Sequence, residues 1–269
     1  MANIQTTYYS LPIGRQTTFM AAIPNDVPPM MMEGNPCYKR PMKTLYLLHG
    51  FSGHFGDWMY GSLMSNLAMK YNLAIIAPNG DNSFYLNWGG TGFDYETFVG
   101  EDLVQYTRSV FGLSDKKEDT YIGGLSMGGF GAIHTALAYP DTFCKMFGLS
   151  SALIIHDIMG MKEGAANEVA DYDYYHKVFG DLDQLETSHA NPEYLVKERL
   201  EKGDTIQPIY MACGTEDFLL NQNHLFRDFL REQGVDLTYC ESKGIHDWDF
   251  WNEYLEKAIR WMLTDCEGR

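Results

Sequence analysis

Thr120-Tyr121-Ile122-Gly123-Gly124-Leu125-Ser126-Met127-Gly128-Gly129-Phe130-Gly131 is the stretch on which the reading of this chain turns. It carries G-x-S-x-G as Gly124-Leu125-Ser126-Met127-Gly128, between an apolar strand-like run and a helix-forming one. A serine at such a strand-to-helix turn sits in strained backbone with its hydroxyl projecting above a sheet. Glycines two residues either side let strand and helix pass without Cβ clashes. The helix that follows aims its N-terminus, and the Met127 N–H, at any negative charge that develops beside Ser126. Ser126 is therefore the expected nucleophile and Met127 an expected oxyanion donor.

Outward from this turn, short apolar runs alternate with helix-like segments. Strands are expected at Thr44–Leu48, Ala74–Ala77, Thr120–Gly123, Met146–Leu149, Ile209–Cys213 and Asp236–Cys240. Helices are expected at Ser62–Tyr71, Phe98–Phe111, Met127–Tyr139, Asn221–Gln233 and Asp249–Leu263. That alternation predicts an α/β fold with a mostly parallel central sheet covered by helices on both faces. An N-terminal hairpin, Thr6–Leu11 and Gln16–Ile23, turns at Pro12-Ile13-Gly14, and the Pro- and Met-rich stretch from Pro24 to Pro41 reads as a surface loop. From Ile154 to Thr205 the rhythm breaks, predicting a cap-like insertion within a single domain spanning 1–269.

Enzymes that use this turn take their acid and then their histidine from later strand ends. Ile209–Cys213 runs into Gly214-Thr215-Glu216-Asp217, which offers two adjacent carboxylates; Asp217 is the expected acid and Glu216 the alternative. His246 lies just past the last strand, before the C-terminal helix, and is the expected base. The other seven histidines fall in helices, in the insertion or in the loop after the first central strand, and read as surface or hydrogen-bonded core residues. That loop, Leu48-His49-Gly50-Phe51-Ser52-Gly53-His54, should supply the second oxyanion donor, Phe51 or alternatively Ser52. Aromatic residues crowd the same loops. Phe51, Tyr85, Trp88 and Trp248 are the expected substrate contacts, with Phe84 and Trp251 nearby; the plainer reading of Trp248 and Trp251, at a helix start, is core packing.

Composition narrows the partners. Hydrophobic residues at 45% and charged residues at 21% are ordinary for a globular chain, but the net charge of −16 is not. Such a surface repels phosphate backbones and anionic membranes, so neither nucleic acid nor membrane is an expected partner. No apolar run reaches the roughly 20 residues that span a bilayer, and the first residues show no secretory leader. Five scattered cysteines without a C-x-x-C pair support neither a disulfide framework nor a zinc site. A cytoplasmic enzyme without metal is the expectation. Exposed aromatics in the insertion leave a homo-oligomer open.

Taken together, Leu47-Leu48-His49-Gly50, Tyr95-Glu96-Thr97-Phe98, Gly124-Leu125-Ser126-Met127-Gly128-Gly129, Phe179-Gly180-Asp181, Cys213-Gly214-Thr215-Glu216-Asp217-Phe218-Leu219 and His246-x-Trp248-x-x-Trp251 resemble the esterase D-type branch of α/β-hydrolases, closest to bacterial tributyrin esterase-like carboxylesterases. The resemblance covers about Leu45 to Trp261. It implies the α/β-hydrolase fold and a cofactor-free serine carboxylesterase that cleaves short-chain acyl esters through an acyl-enzyme, with Ser126, Asp217 and His246 as its triad. It also implies related activities: carbohydrate deacetylation or deferuloylation of an oligosaccharide ester, or S-formylglutathione-type thioester hydrolysis. A catalytically inactive binding member of the fold is the non-enzyme alternative. The chain departs most from the pattern at Pro24–Pro41 and Ile154–Ala170.

Overall fold

A computed structural model describes residues 1–264; Cys266, counted among the five cysteines, lies outside the described residues. Eight strands form one sheet in the order β1-β2-β4-β3-β5-β6-β7-β8. They are β1 (Ala2–Ser10), β2 (Arg15–Ile23), β3 (Lys43–Leu48), β4 (Leu73–Pro78), β5 (Thr120–Leu125), β6 (Lys145–Leu149), β7 (Ile209–Gly214) and β8 (Leu237–Ser242). The six strands from β4 to β8 run parallel, and the β1–β2 hairpin joins them antiparallel through β2 and β4. The chain is an α/β-hydrolase fold.

Side chains explain why the strands read as unbroken apolar runs. Successive residues of a strand point to opposite faces, and here both faces are covered. Tyr46 and Leu48 of β3 pack with Ile76, Ile122 and Phe130 on one side. Leu45 and Leu47 pack with Leu67, Ile75, Trp251 and Leu255 on the other. β8, at the sheet's edge, is only half-buried.

The expected helices form with adjusted ends. Ser62–Tyr71 resolves into Met64–Tyr71 after a short turn at Asp57–Gly61. Phe98–Phe111 opens with a π-turn, Phe98–Asp102, before the regular Leu103–Phe111. The loop expected at Pro24–Pro41 carries two single-turn helices, Pro29–Met32 and Pro36–Lys39. Residues 154–205 contain the helices Ile155–Ile158, Tyr172–Phe179 and Pro192–Glu201 and add no strand to the sheet among the described residues. The last two helices start on Asp171 and Asn191, whose side chains cap the amides of Tyr174 and Glu193.

The sheet order positions the site. From β3 the chain moves outward to β4, whereas from β5 it moves the other way to β6. At such a reversal the loops at the carboxyl ends of adjacent strands diverge and leave a crevice. The loops after β3 and β5, which hold Phe51 and Ser126, flank this one.

Candidate active site

Ser126 follows β5 directly and precedes the helix Met127–Ala138. Its backbone is strained, at φ 53° and ψ −121°. The glycines around it are required by contact. A Cβ on Gly124 would sit 2.2 Å from the Gly128 carbonyl oxygen, and one on Gly128 would sit 2.3 Å from that of Leu48. Three backbones therefore meet at van der Waals distance beneath the serine.

The Ser126 Oγ lies 3.0 Å from His246 Nε2. His246 Nδ1 lies 2.9 and 3.1 Å from the two carboxylate oxygens of Asp217. An ionised carboxylate only accepts, so Nδ1 carries the proton and Nε2 offers its lone pair to the serine hydroxyl. Asp217 is 5% exposed. Burial alone would raise its pKa; the His246 hydrogen bond and charge, the Leu219 amide and Ser150 together hold it below the usual carboxylate value. Its neighbour Glu216 is exposed. Of the two adjacent carboxylates, Asp217 meets the histidine.

His246 is held from two sides. The Trp251 ring meets it edge-on at 5.0 Å and Phe218 leans on it at 4.6 Å. Trp251 is itself anchored, donating from Nε1 to Ser150 Oγ at 3.1 Å.

The loop after β3 passes close by, since a Cβ on Gly50 would stand 3.4 Å from Ser126 Cβ. The Ser52 amide is engaged, donating to Asn82 Oδ1 at 2.7 Å. Among the described residues no acceptor meets the amides of Phe51 or Met127. Two N–H groups flanking a nucleophile and lacking a protein acceptor can bind an oxyanion.

Sequence reasoning did not single out His49 as a tie for this loop. Its Nε2 accepts the Gly80 amide at 2.8 Å, so its Nδ1 carries the proton given to the Gly50 carbonyl at 2.7 Å. Burial holds its pKa below the ordinary histidine value, which keeps the ring neutral in this role. Its position immediately before Gly50 was the only available signal.

The expected substrate contacts divide. Phe51 lines a cleft of about 340 Å³ that contains Ser126 and His246, together with Phe84. Tyr85 does not line it: the ring is fully buried and its hydroxyl donates to the His49 carbonyl at 3.0 Å, bracing the same loop from below. Trp88 lines a separate cavity. Trp248 is packed edge-on against Trp58 and Trp251 and covers Gly61, so it is a packing residue. The cleft's remaining walls come from residues outside the expected substrate contacts, including Asn167, Val169 and Tyr175 of the insertion and Phe218 and Gln222 beyond Asp217. Only Phe218, adjacent to the acid, carried a positional hint.

Among the described residues no group of three or more His, Cys, Asp or Glu is arranged to hold a metal ion. No helix among them is long and apolar enough to cross a membrane.

Comparison with known proteins agrees with this geometry. The model of the family named Esterase, described as "Putative esterase", matches residues 13–262. An acetyl esterase of Caldicellulosiruptor saccharolyticus is 43% identical over 262 residues, covering 97% of this chain and 98% of the relative. Among solved structures, the substrate-bound fluorophosphonate-binding serine hydrolase FphF of Staphylococcus aureus superposes with a TM-score of 0.81 at 30% identity, over 97% of this chain and 98% of that one. The S-formylglutathione hydrolase FrmB of the same organism gives 0.81 at 29% identity, with the same coverage. The chain belongs to this esterase family and is a serine-dependent carboxylic ester hydrolase.

Proposed function

We propose that Ser126 attacks the carbonyl of a short-chain acyl ester, above all an acetyl ester, and carries the acyl group as a covalent intermediate. The observation that carries this reading is the unbroken chain from Ser126 Oγ to His246 to Asp217 at hydrogen-bond distances. His246 Nε2 takes the hydroxyl proton as the C–O bond forms, and returns it to the leaving alcohol as the ester bond breaks. Asp217 keeps the proton on Nδ1 and stabilises the imidazolium. Water then attacks through the same base, releasing the acid and restoring the serine. The Met127 and Phe51 amides hold the oxyanion of both tetrahedral intermediates.

Phe51, Phe84 and Val169 give the acyl chain a dry wall in a cleft of modest volume. The acetyl assignment is supported by the 43% identical acetyl esterase. Asn167, Asp157 and Gln222 add polar groups to the same cleft, which suits an alcohol bearing hydroxyls, such as an acetylated sugar. A thioester of formylglutathione type is the second reading, favoured by the FrmB likeness. A cytoplasmic setting is also proposed, in keeping with the free thiols of Cys144, Cys213 and Cys240.

The test is hydrolysis of p-nitrophenyl acetate, butyrate and octanoate, of an acetylated xylo-oligosaccharide and of S-formylglutathione, with Ser126→Ala beside the wild type. Acetate turnover that falls with chain length and vanishes in the variant is expected. A wild-type protein that turns over the thioester alone would replace the ester reading with the second one.

A further inference from the structure

The loop after β3 is built against the turn that follows β4. His49 Nδ1 donates to the Gly50 carbonyl. That carbonyl shares a planar trans peptide with the Phe51 N–H, which therefore points the opposite way. The next peptide is held in its turn, since the Ser52 N–H donates to Asn82 Oδ1. Phe51 thus lies between two fixed peptide planes. Both ties lead to residues 80–85, because the Gly80 amide donates to His49 Nε2 at 2.8 Å and the Tyr85 hydroxyl to the His49 carbonyl at 3.0 Å.

This second turn is itself strained. Asp81, Phe84 and Tyr85 sit at φ 46°, 52° and 55°, a region that side-chain-bearing residues keep only where their surroundings hold them. Ser83 holds part of it, donating from Oγ to the Gly80 carbonyl at 2.6 Å and accepting the Tyr85 amide at 2.9 Å. Asn82 lies outside those bonds, and among the described residues no backbone N–H reaches its carbonyl. The donor that does reach it is the Tyr174 hydroxyl of the insertion, 2.7 Å away. The same ring meets Phe51 edge-on, with centroids 5.6 Å apart. Burial pushes the Tyr174 phenol above its ordinary range, so the hydroxyl stays a donor. Tyr174 does not line the ester cleft. Its route to the chemistry runs through the loop.

We propose that Tyr174 is a positioning residue for the oxyanion hole. Its hydroxyl fixes the Asn82 peptide, Asn82 fixes the Ser52 amide, and its ring seats Phe51, so that the Phe51 N–H faces the oxyanion formed at Ser126. This role rests on the Phe51 amide being the second oxyanion donor. The insertion then does more than wall the cleft, because it also sets a donor that belongs to the loop after β3.

The test compares wild type with Tyr174→Phe, Asn82→Ala and the double variant on p-nitrophenyl acetate. Fluorophosphonate titration run to completion counts active enzyme, so that any misfolded fraction drops out. Tyr174→Phe keeps the ring and removes only the donor. We expect it to lower kcat about fivefold while KM stays within about twofold, because the oxyanion is absent from the ground state. Binding of an aliphatic trifluoromethyl ketone, whose adduct with Ser126 carries an oxyanion, should weaken by the same factor. The double variant should lose no more than Asn82→Ala alone, about tenfold, since one residue acts through the other. A change in KM alone, or losses that multiply in the double variant, would overturn the role of Tyr174. If Asn82→Ala lowers kcat and Tyr174→Phe does not, the role of Tyr174 falls while the Phe51 donor stands. If neither variant loses kcat, both fall.

Discussion

Asn82 Oδ1 accepts the backbone N–H of Ser52 at 2.7 Å, whereas among the described residues no acceptor meets the amide of its neighbour Phe51. Ser52 sits at φ 61°, a conformation a serine adopts only when its surroundings hold it there. Asn82→Ala should therefore let the loop relax. We expect kcat on p-nitrophenyl acetate to fall about tenfold with little change in KM, the pattern of a donor needed mainly in the transition state. Asn82→Asp, which keeps the acceptor, should recover most of the loss. A KM effect without a kcat effect would assign the bond to substrate binding instead.

Ser126 itself stores strain, at φ 53° and ψ −121°. Ser126→Ala and Ser126→Gly should both lose activity by on the order of 10⁴-fold or more, because the triad acts as a unit. They should differ in stability. Glycine relieves a backbone that alanine must still tolerate, so thermal unfolding should place Ser126→Gly about 1 kcal/mol above Ser126→Ala. Equal melting temperatures would mean that the turn is unstrained.

Gly128 has no room for a side chain, since an added Cβ would press on the Leu48 and His49 carbonyl oxygens at 2.3 and 2.6 Å. Backbone cannot rotate away as a side chain can. Gly128→Ala should cost at least about 3 kcal/mol and reduce the yield of soluble enzyme. Gly234→Ala is a useful contrast: its surroundings are open but its φ is +69°, so the cost there should be only about 1 kcal/mol. Chemical denaturation of the two variants measures the difference.

Glu96 and His134 pull the pH dependence of stability in opposite directions. The folded Glu96 pKa of about 7 exceeds its ordinary 4.5, with Asp94 adding to the effect of burial. Its contribution is complete below pH 4.5 and is lost as pH rises towards 7. His134 falls from 6.5 to about 4, so its contribution is complete above 6.5 and is lost as pH falls towards 4. Glu96→Gln removes the first effect only. Relative to wild type, the variant should gain stability between pH 5 and pH 8, by up to about 3 kcal/mol. Melting curves at the two pH values test this; a constant difference would show that Glu96 titrates normally.

The sheet and the Ser126–His246–Asp217 constellation were readable in the sequence because each depends on local chemistry. Residues 120–131 carry their own strand, turn and helix signals, and Asp217 and His246 each stand just past a strand end. The substrate walls were not readable in the same way. Tyr85, Trp88 and Trp248 are aromatic and sit in the right loops, yet one braces His49, one borders a separate cavity and one packs on Trp58. An aromatic ring gains from burial whether it faces a ligand or the core, so its identity does not say which. Asn167 and Val169 reach the cleft from the insertion, where no periodic pattern foretold the chain's path. The hydrogen bond that engages the Ser52 amide likewise depends on a partner, Asn82, thirty residues away in sequence.

The three groups that meet at the nucleophile come from loops after β5, β7 and β8, with His246 last in the chain. Ribosomes deliver these loops in order, whereas a domain generally folds as a unit. Ser126 is thus synthesised well before the imidazole that activates it. A nascent chain ending anywhere before Gly244 has its nucleophile without its base. It therefore passes through translation without hydrolysing the esters around it, and activity switches on only once β8 and the helix Trp248–Leu263 have docked.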